Sequence, residues 1–470
     1  VLKKWVLSAQ EEKKGRGLVR PMLAAVCVFA MEMQALALPQ GGQVAAGDVT
    51  IGAAAAGYQE ITQTTDKGII NWQSFDIGQG EHVRFVQPST TSNTLNRVTG
   101  STNPSQILGR LSANGQITII NPNGVFFSKD SVVDVAGLTA STANIKDTDF
   151  LSNKMEFSQP GSSNAEIVNE GTISVEQAGI ATLVAPSVRN DGIITAKLGR
   201  INLGGAEEFT VDFYGNDMLF LVVEDTALHT AVRNGGVINA EGGTITMSAK
   251  TAGELVDSFA GNTGTLTVAS TTGKGGNINV EAKKVIVSGP ITAKSTADKG
   301  GTITLNAGEV LLADGDINAQ GTEGGSITLN APRLQTSQAI DASGSFTTGG
   351  NIILRGESIV QPASTTLRAD GQTAGGFIAV QANRGDKNGT LFSSAGTISA
   401  TGQIGGTVQL SGDQVELRSV NVDVNGQTGG GTIHVGGTWQ GGTLQDAVDQ
   451  TTPLPTARTI LVSPTSTFKA

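Results

Sequence analysis

A six-residue unit, Gly-Gly-x-apolar-x-apolar, recurs through the second half of the chain and limits its fold more than any other feature. It opens at Gly275, Gly300, Gly324, Gly349, Gly375, Gly405 and Gly430, at intervals of 25, 24, 25, 26, 30 and 25 residues. Self-similarity at a period of about 20 to 50 residues marks a stacked repeat architecture. Within each interval a second short apolar run follows, as in Val285-Ile286-Val287 and Val310-Leu311-Leu312. A third is built around Ile291, Ile317, Ile340, Leu367 and Ile398. The runs alternate, with Ile303 and Leu305 on one side and Thr302 and Thr304 on the other, which is the two-residue period of a strand.

Three short strands per repeat, with glycine pairs at the bends, describe one rung of a right-handed parallel β-helix. The expected fold is therefore all-β, a solenoid with an N-terminal cap and projecting hairpins. One rung cannot bury its own aliphatic side chains and must stack on neighbours. At about 4.8 Å per rung, some sixteen to eighteen rungs would make a rod on the order of 80 Å long. A β-sandwich array and a propeller are the runner-up folds; the one-residue drift in period and the lack of a recurring Trp or Asp signature argue against the propeller. Composition agrees: 63 glycines in 470 residues, with 15% charged and 4% aromatic residues, favour strands and turns over amphipathic helices. The net charge of −10 repels nucleic acid and anionic lipid, so neither is an expected partner.

Less regular rungs precede the repeats. Asn169-Glu170-Gly171, Asn190-Asp191-Gly192 and Asn234-Gly235-Gly236 each lead into a short strand. Asparagines at equivalent bends are expected to stack as an amide ladder. Residues 145–165 and 205–232 break the pattern and are expected to form hairpins or caps projecting from the coil. Residues 38–60 are expected to cover the open edge of the first rung. The strand Thr459-Ile460-Leu461-Val462 has no visible successor, which reads as a rod continuing past residue 470.

The N-terminus reads as an address. Lys3, Lys4, Lys13, Lys14, Arg16 and Arg20 precede an apolar run from Pro21 to Met31, and Ala35-Leu36-Ala37 offers a cleavage site before Leu38. That order is a secretory signal peptide over residues 1–37, and the run is too short to span a membrane. No transmembrane segment is expected in the mature chain. Cys27 is the only cysteine, so everything after it folds without disulfides.

Residues 95–142 carry the strongest functional signal. An apolar run, Ile117 to Ile120, enters Asn121-Pro122-Asn123-Gly124, and Val125-Phe126-Phe127 leaves it. Proline presets φ at the second turn position, and an Asn-Gly pair tolerates positive φ. Upstream lies a second Asn-Pro element, Asn103-Pro104-Ser105-Gln106. Together these resemble the filamentous haemagglutinin N-terminal domain, the secretion domain of two-partner-secretion exoproteins. The element Asn103–Gln106 departs from the family pattern in lacking a second Asn at its third position. The resemblance implies a secretion domain over residues 38–270, followed by a repeat rod over 271–470. It further implies a partner outer-membrane β-barrel transporter that recognises the N-terminal domain, and release outside, or retention on the surface of, a Gram-negative cell. Asn103, Pro104, Asn121, Pro122, Asn123 and Gly124 are the candidate secretion residues.

Signs of chemistry are sparse. His82, His229 and His434 are far apart in the chain and none pairs with another at metal-ligand spacing, so no metal or cofactor is expected. Asp314-Gly315-Asp316 and Gly273-Lys274-Gly275 read as bends. Arg384-Gly385-Asp386 lies in the longest repeat interval, beside the sequon Asn388-Gly389-Thr390, where an extra loop could reach a host receptor or glycan. The leading expectation is a secreted or cell-surface adhesin and not an enzyme. Alternatives are a β-helix polysaccharide lyase or glycosidase, which needs a mixed-charge cleft across several rungs, and the carrier rod of a contact-dependent toxin.

Overall fold

The computed structural model describes residues 38–211, 219–222, 229–250, 257–382, 389–394, 396–437 and 456–470. The signal segment with Ala37, and the Arg384-Gly385-Asp386 tripeptide, lie outside the described residues.

The chain winds into a parallel β-helix with three faces, here called A, B and C. Face A runs from Lys67–Trp72 to Thr432–Val435, face B from Ser105–Ile107 to Thr459–Val462, and face C from Tyr58–Gln63 to Thr467–Lys469. Each strand pairs in parallel with its equivalents one coil below and one above. Two long strands, Asn277–Val287 and Thr302–Ala313, turn the corner and serve faces A and B together.

The repeat spacing sets the register. Ile278, Ile303, Ile327, Ile352, Ile378, Val408 and Ile433 form one inward column on face A. Ile291, Ile317, Ile340, Leu367, Ile398 and Val422 form another on face C. All but Ile433 are buried. Each such side chain contributes roughly 1.5–3 kcal/mol of apolar burial, available only when a neighbouring coil is present. Charged residues that face outward pair across coils, as in Lys283–Glu309 at 3.0 Å and Arg110–Asp134 at 3.1 Å.

The glycine pairs are needed for close approach. A methyl group at Gly276, Gly301, Gly325, Gly350, Gly376, Gly406 or Gly431 would run into the backbone carbonyl of the equivalent glycine one coil earlier. The first glycine of the pair is hemmed in the same way at Gly300, Gly324, Gly349 and Gly375, where the carbonyl belongs to the alanine just after the next face C strand. The expected amide ladder is present at the bend between faces B and C. Asn169 Nδ2 donates to Asn190 Oδ1 (2.7 Å), Asn190 to Asn234 (2.7 Å) and Asn234 to Asn262 (2.8 Å).

Face A has fourteen coils among the described residues, fewer than the sixteen to eighteen expected, which gives a shaft of about 60 Å. Dividing length by 25 overcounts because residues 142–165, 206–228 and 436–458 are inserted between face A and face B strands. The cap is as expected: Gln43–Ala46 and Val49–Ile51 pair antiparallel with the first strands of faces A and C.

The expected hairpin forms from Glu208–Val211 and Leu219–Val222, but it packs on face A instead of projecting. A short helix, Asp147–Leu151, and the strand Glu156–Phe157 from the first insertion join Glu208–Val211 and Leu219–Val222 from the second in one antiparallel sheet. This sheet lies flat on face A. Phe150, Met155, Phe157, Phe209 and Val211 bury the outward side chains Ile69, Leu95, Ile120 and Val184. Projection would have left that apolar surface in water.

Candidate recognition corner

The two Asn-Pro elements meet at the corner between faces A and B, on successive coils. Ser105–Ile107 pairs in parallel with Gly124–Phe127, placing Ser105 opposite Val125. Asn121 is 1% exposed and every polar atom of its side chain is engaged. Its Oδ1 accepts the Asn123 amide (2.9 Å), and its Nδ2 donates to the Asn103 carbonyl (3.0 Å) and to Ser105 Oγ (3.1 Å). Gly124 N–H donates to the Asn121 carbonyl (3.0 Å), closing the turn. Asn123 Nδ2 reaches back to the Ser101 carbonyl (3.1 Å).

Of the Asn-Gly pair only Gly124 takes a left-handed φ, +115°, and a side chain there would strike the Glu166 carbonyl. Ser105 occupies the position where the family pattern has a second Asn, and its hydroxyl serves as the acceptor Asn121 needs. One coil earlier, Asp76 Oδ1 accepts the Gln106 amide (2.8 Å), and burial raises the Asp76 pKa above the ordinary carboxylate value. One coil later, Ser162 N–H donates to the Pro122 carbonyl (2.9 Å) and Gly161 packs against Pro122. Sequence reasoning missed Asp76, Ser101 and Gly161, since nothing in their local patterns marks a neighbour one coil away.

The two elements differ in accessibility. Asn121 and Gly124 are buried, Pro122 and Asn123 half-buried, and Asn103 and Pro104 exposed. Asn103 takes part in the corner through its backbone, which Ser101 Oγ and Asn121 bind; its side chain is turned to solvent.

Other candidates are structural. Asp314 accepts Ser337 Oγ (2.7 Å) and Asp316 accepts the Ala339 amide (3.3 Å), so both carboxylates fasten the next coil. Gly273-Lys274-Gly275 is a bend. Among the described residues no group of three or more His, Cys, Asp or Glu could hold a metal ion. Face C carries a mixed-charge cluster that the sequence did not reveal. Tyr58 O–H donates to Glu60 (2.7 Å), His82 Nε2 bonds Ser112 Oγ (2.7 Å), and Arg84 pairs with Glu60 (3.8 Å). Burial lowers the His82 pKa, and Arg110 and Arg84 add to the effect. Tyr58, Glu60 and Arg84 engage one another, whereas His82 and Arg110 line an open depression of about 300 Å³ with Glu81 and Asp130.

A capped parallel β-helix with paired Asn-Pro turns stacked at one corner defines a class of bacterial export domain. The model of the TPS secretion domain matches residues 35–275, and the chain belongs to that family. Its members are secreted or cell-surface exoproteins of Gram-negative bacteria. The chain is 35% identical over 223 residues to a heme/hemopexin-binding protein of Haemophilus influenzae (strain ATCC 51907 / DSM 11121 / KW20 / Rd), covering 45% of this chain and 24% of the relative. A second heme/hemopexin-binding protein of Haemophilus influenzae is 30% identical over 271 residues, covering 53% and 28%. The chain thus spans about a quarter of the length of the curated relatives it matches. The crystal structure of the HMW1 secretion domain from Haemophilus influenzae aligns with a TM-score of 0.65 and 29% identity, covering 73% of this chain and 94% of that one. No described helix is long and apolar enough to cross a membrane.

Proposed function

We propose that residues 38–270 are the export module of an exoprotein, recognised by a partner outer-membrane β-barrel transporter, and that residues 271–470 belong to its shaft. The observation that carries this reading is the family match over the coils that build the Asn-Pro corner. The corner divides the labour by burial. Asn121 and Gly124 serve the fold, whereas the Asn103 side chain and Pro104 are presented outward. Stacking of later coils outside the cell would bias movement outward, since each coil buries new aliphatic surface only on arrival.

Asn103→Ala tests the reading, because an exposed side chain outside the hydrogen-bonded frame should alter stability by no more than about 0.5 kcal/mol. Expected is unchanged unfolding of the purified chain together with reduced secretion in cells carrying the partner transporter. Secretion at the wild-type rate from both Asn103→Ala and Pro104→Ala would remove the recognition role. The shaft is read as adhesive, with a receptor or glycan as ligand.

A further inference from the structure

The first insertion does more than cover apolar surface, because its end also sits against the recognition corner. Residues 142–165 leave face A, pass over the turn through Ser162 and Gly161 against Pro122, and return as the face B strand Glu166–Asn169. One side chain of an earlier coil pins this segment. Arg97 Nε donates to Asn144 Oδ1 (2.7 Å), Nη1 to Asn71 Oδ1 (3.1 Å), and Nη2 to the Ile145 carbonyl (2.9 Å) and Asp147 Oδ1 (2.7 Å). Lys67 lies 4.9 Å over the Phe150 ring. Yet the strand Glu156–Phe157 is only two residues long and finds its partner much later in the chain. Glu156 pairs with Thr210, Phe157 stacks on Phe209 at 4.3 Å, and Val211 N–H donates to the Met155 carbonyl (3.0 Å). A two-residue strand without its partner is not stable.

We infer that residues 142–165 are a release latch. They close over the Asn121–Gly124 corner when Glu208–Val211 arrives, and closure locks the corner, with Asn103 and Pro104 still outward, in a rigid form that the transporter no longer holds. The inference rests on the recognition reading above. Until closure, Ile69, Leu95, Ile120 and Val184 lie bare on face A, and coils one to five lack their outer support. After it, Arg97 and the Phe157–Phe209 stack bind coils two, four and six into one unit. Arg97 is a positioning residue, since it acts through Asn144 and Asp147.

The test uses the full chain carrying Arg97→Met, Phe209→Ala or, as the mildest change, Asp147→Asn. Amide hydrogen exchange is combined with capture by the purified periplasmic modules of the partner transporter. Expected is at least a tenfold loss of protection at Gln116–Ile120 and Gly124–Phe127, with Asn351–Arg355 unchanged. Folded variant chains should be captured, whereas folded wild type escapes and urea-unfolded wild type is captured. Loss of protection confined to residues 142–165 and 206–222 in all three variants would overturn the latch. Wide loss of protection without capture of the variants, while unfolded wild type is still captured, would overturn its role in release. If unfolded wild type is not captured either, the recognition reading itself falls.

Discussion

Substituting alanine for Gly301 should be among the most damaging single-methyl changes in this protein, although the residue has no side chain and does not use a left-handed φ. The added carbon would stand closer than 3.0 Å to the Gly276 carbonyl oxygen and to the Gly275 carbonyl carbon, a separation real Cβ atoms essentially never show. Both obstacles are backbone of the preceding coil, so no side chain can swing aside. The coils must part locally, which stretches the bonds from Gly301 N–H to the Ala293 carbonyl (2.7 Å) and from Thr302 N–H to the Gly276 carbonyl (3.0 Å). Overpacking costs about 1–3 kcal/mol, and each weakened hydrogen bond adds about 1 kcal/mol. The expected loss is therefore about 3–5 kcal/mol. Gly308 in the same strand is the control, because a methyl there meets nothing nearer than 3.5 Å. Gly308→Ala should be neutral or stabilising by up to about 1 kcal/mol through the unfolded chain. Guanidinium unfolding of the full chain, read as the midpoint shift at constant slope, measures both. Equal effects from the two substitutions, or a Gly301→Ala midpoint at the wild-type value, would refute the close-approach argument.

Asn190→Ala should lower stability by about 2–4 kcal/mol, since it leaves Asn169 Nδ2 and Asn234 Oδ1 without their ladder partner; urea unfolding reads this. Ala178 is exposed at φ +63°, so Ala178→Gly should raise the unfolding midpoint by the equivalent of about 1 kcal/mol. At Asp76 the sign follows from burial raising its pKa above the ordinary value. Stability from this group is full below the ordinary carboxylate range and is lost as pH rises through the raised value. Asp76→Asn can still accept the Gln106 amide, so it should match or exceed wild-type stability at neutral pH. The difference should shrink on acidification, as denaturant midpoints measured at several pH values will show.

The repeat rod was legible because its period, strand alternation and glycine pairs all repeat the same instruction. What the glycines do was not legible, since a bend and a close approach select the same residue. The second coil misleads in another way. In Asn93–Val98, alternation invites Leu95 inward, yet Leu95 faces out beneath the latch. Asn96 faces in, accepting the Trp72 indole N–H at 3.0 Å, and Thr94 joins Gln63 and Gln87 in the interior. These positions depend on partners at Phe150 and Gln63, which no local pattern reveals. The Asn121–Gly124 turn could be read from its own four residues. Its bond to Asn103 is a contact one coil away, and only the register of the stacked strands brings it about.

All the long insertions enter the solenoid at the same place, the edge where face A passes to face B. The other two edges are closed to them, one by glycines pressed against the coil below and the other by the amide ladder and its own glycines. Extra sequence can thus be threaded in along a single seam without shifting any hydrogen-bond register. The latch lies on that seam. New surface features can be exchanged there one at a time while the exported scaffold beneath them stays the same.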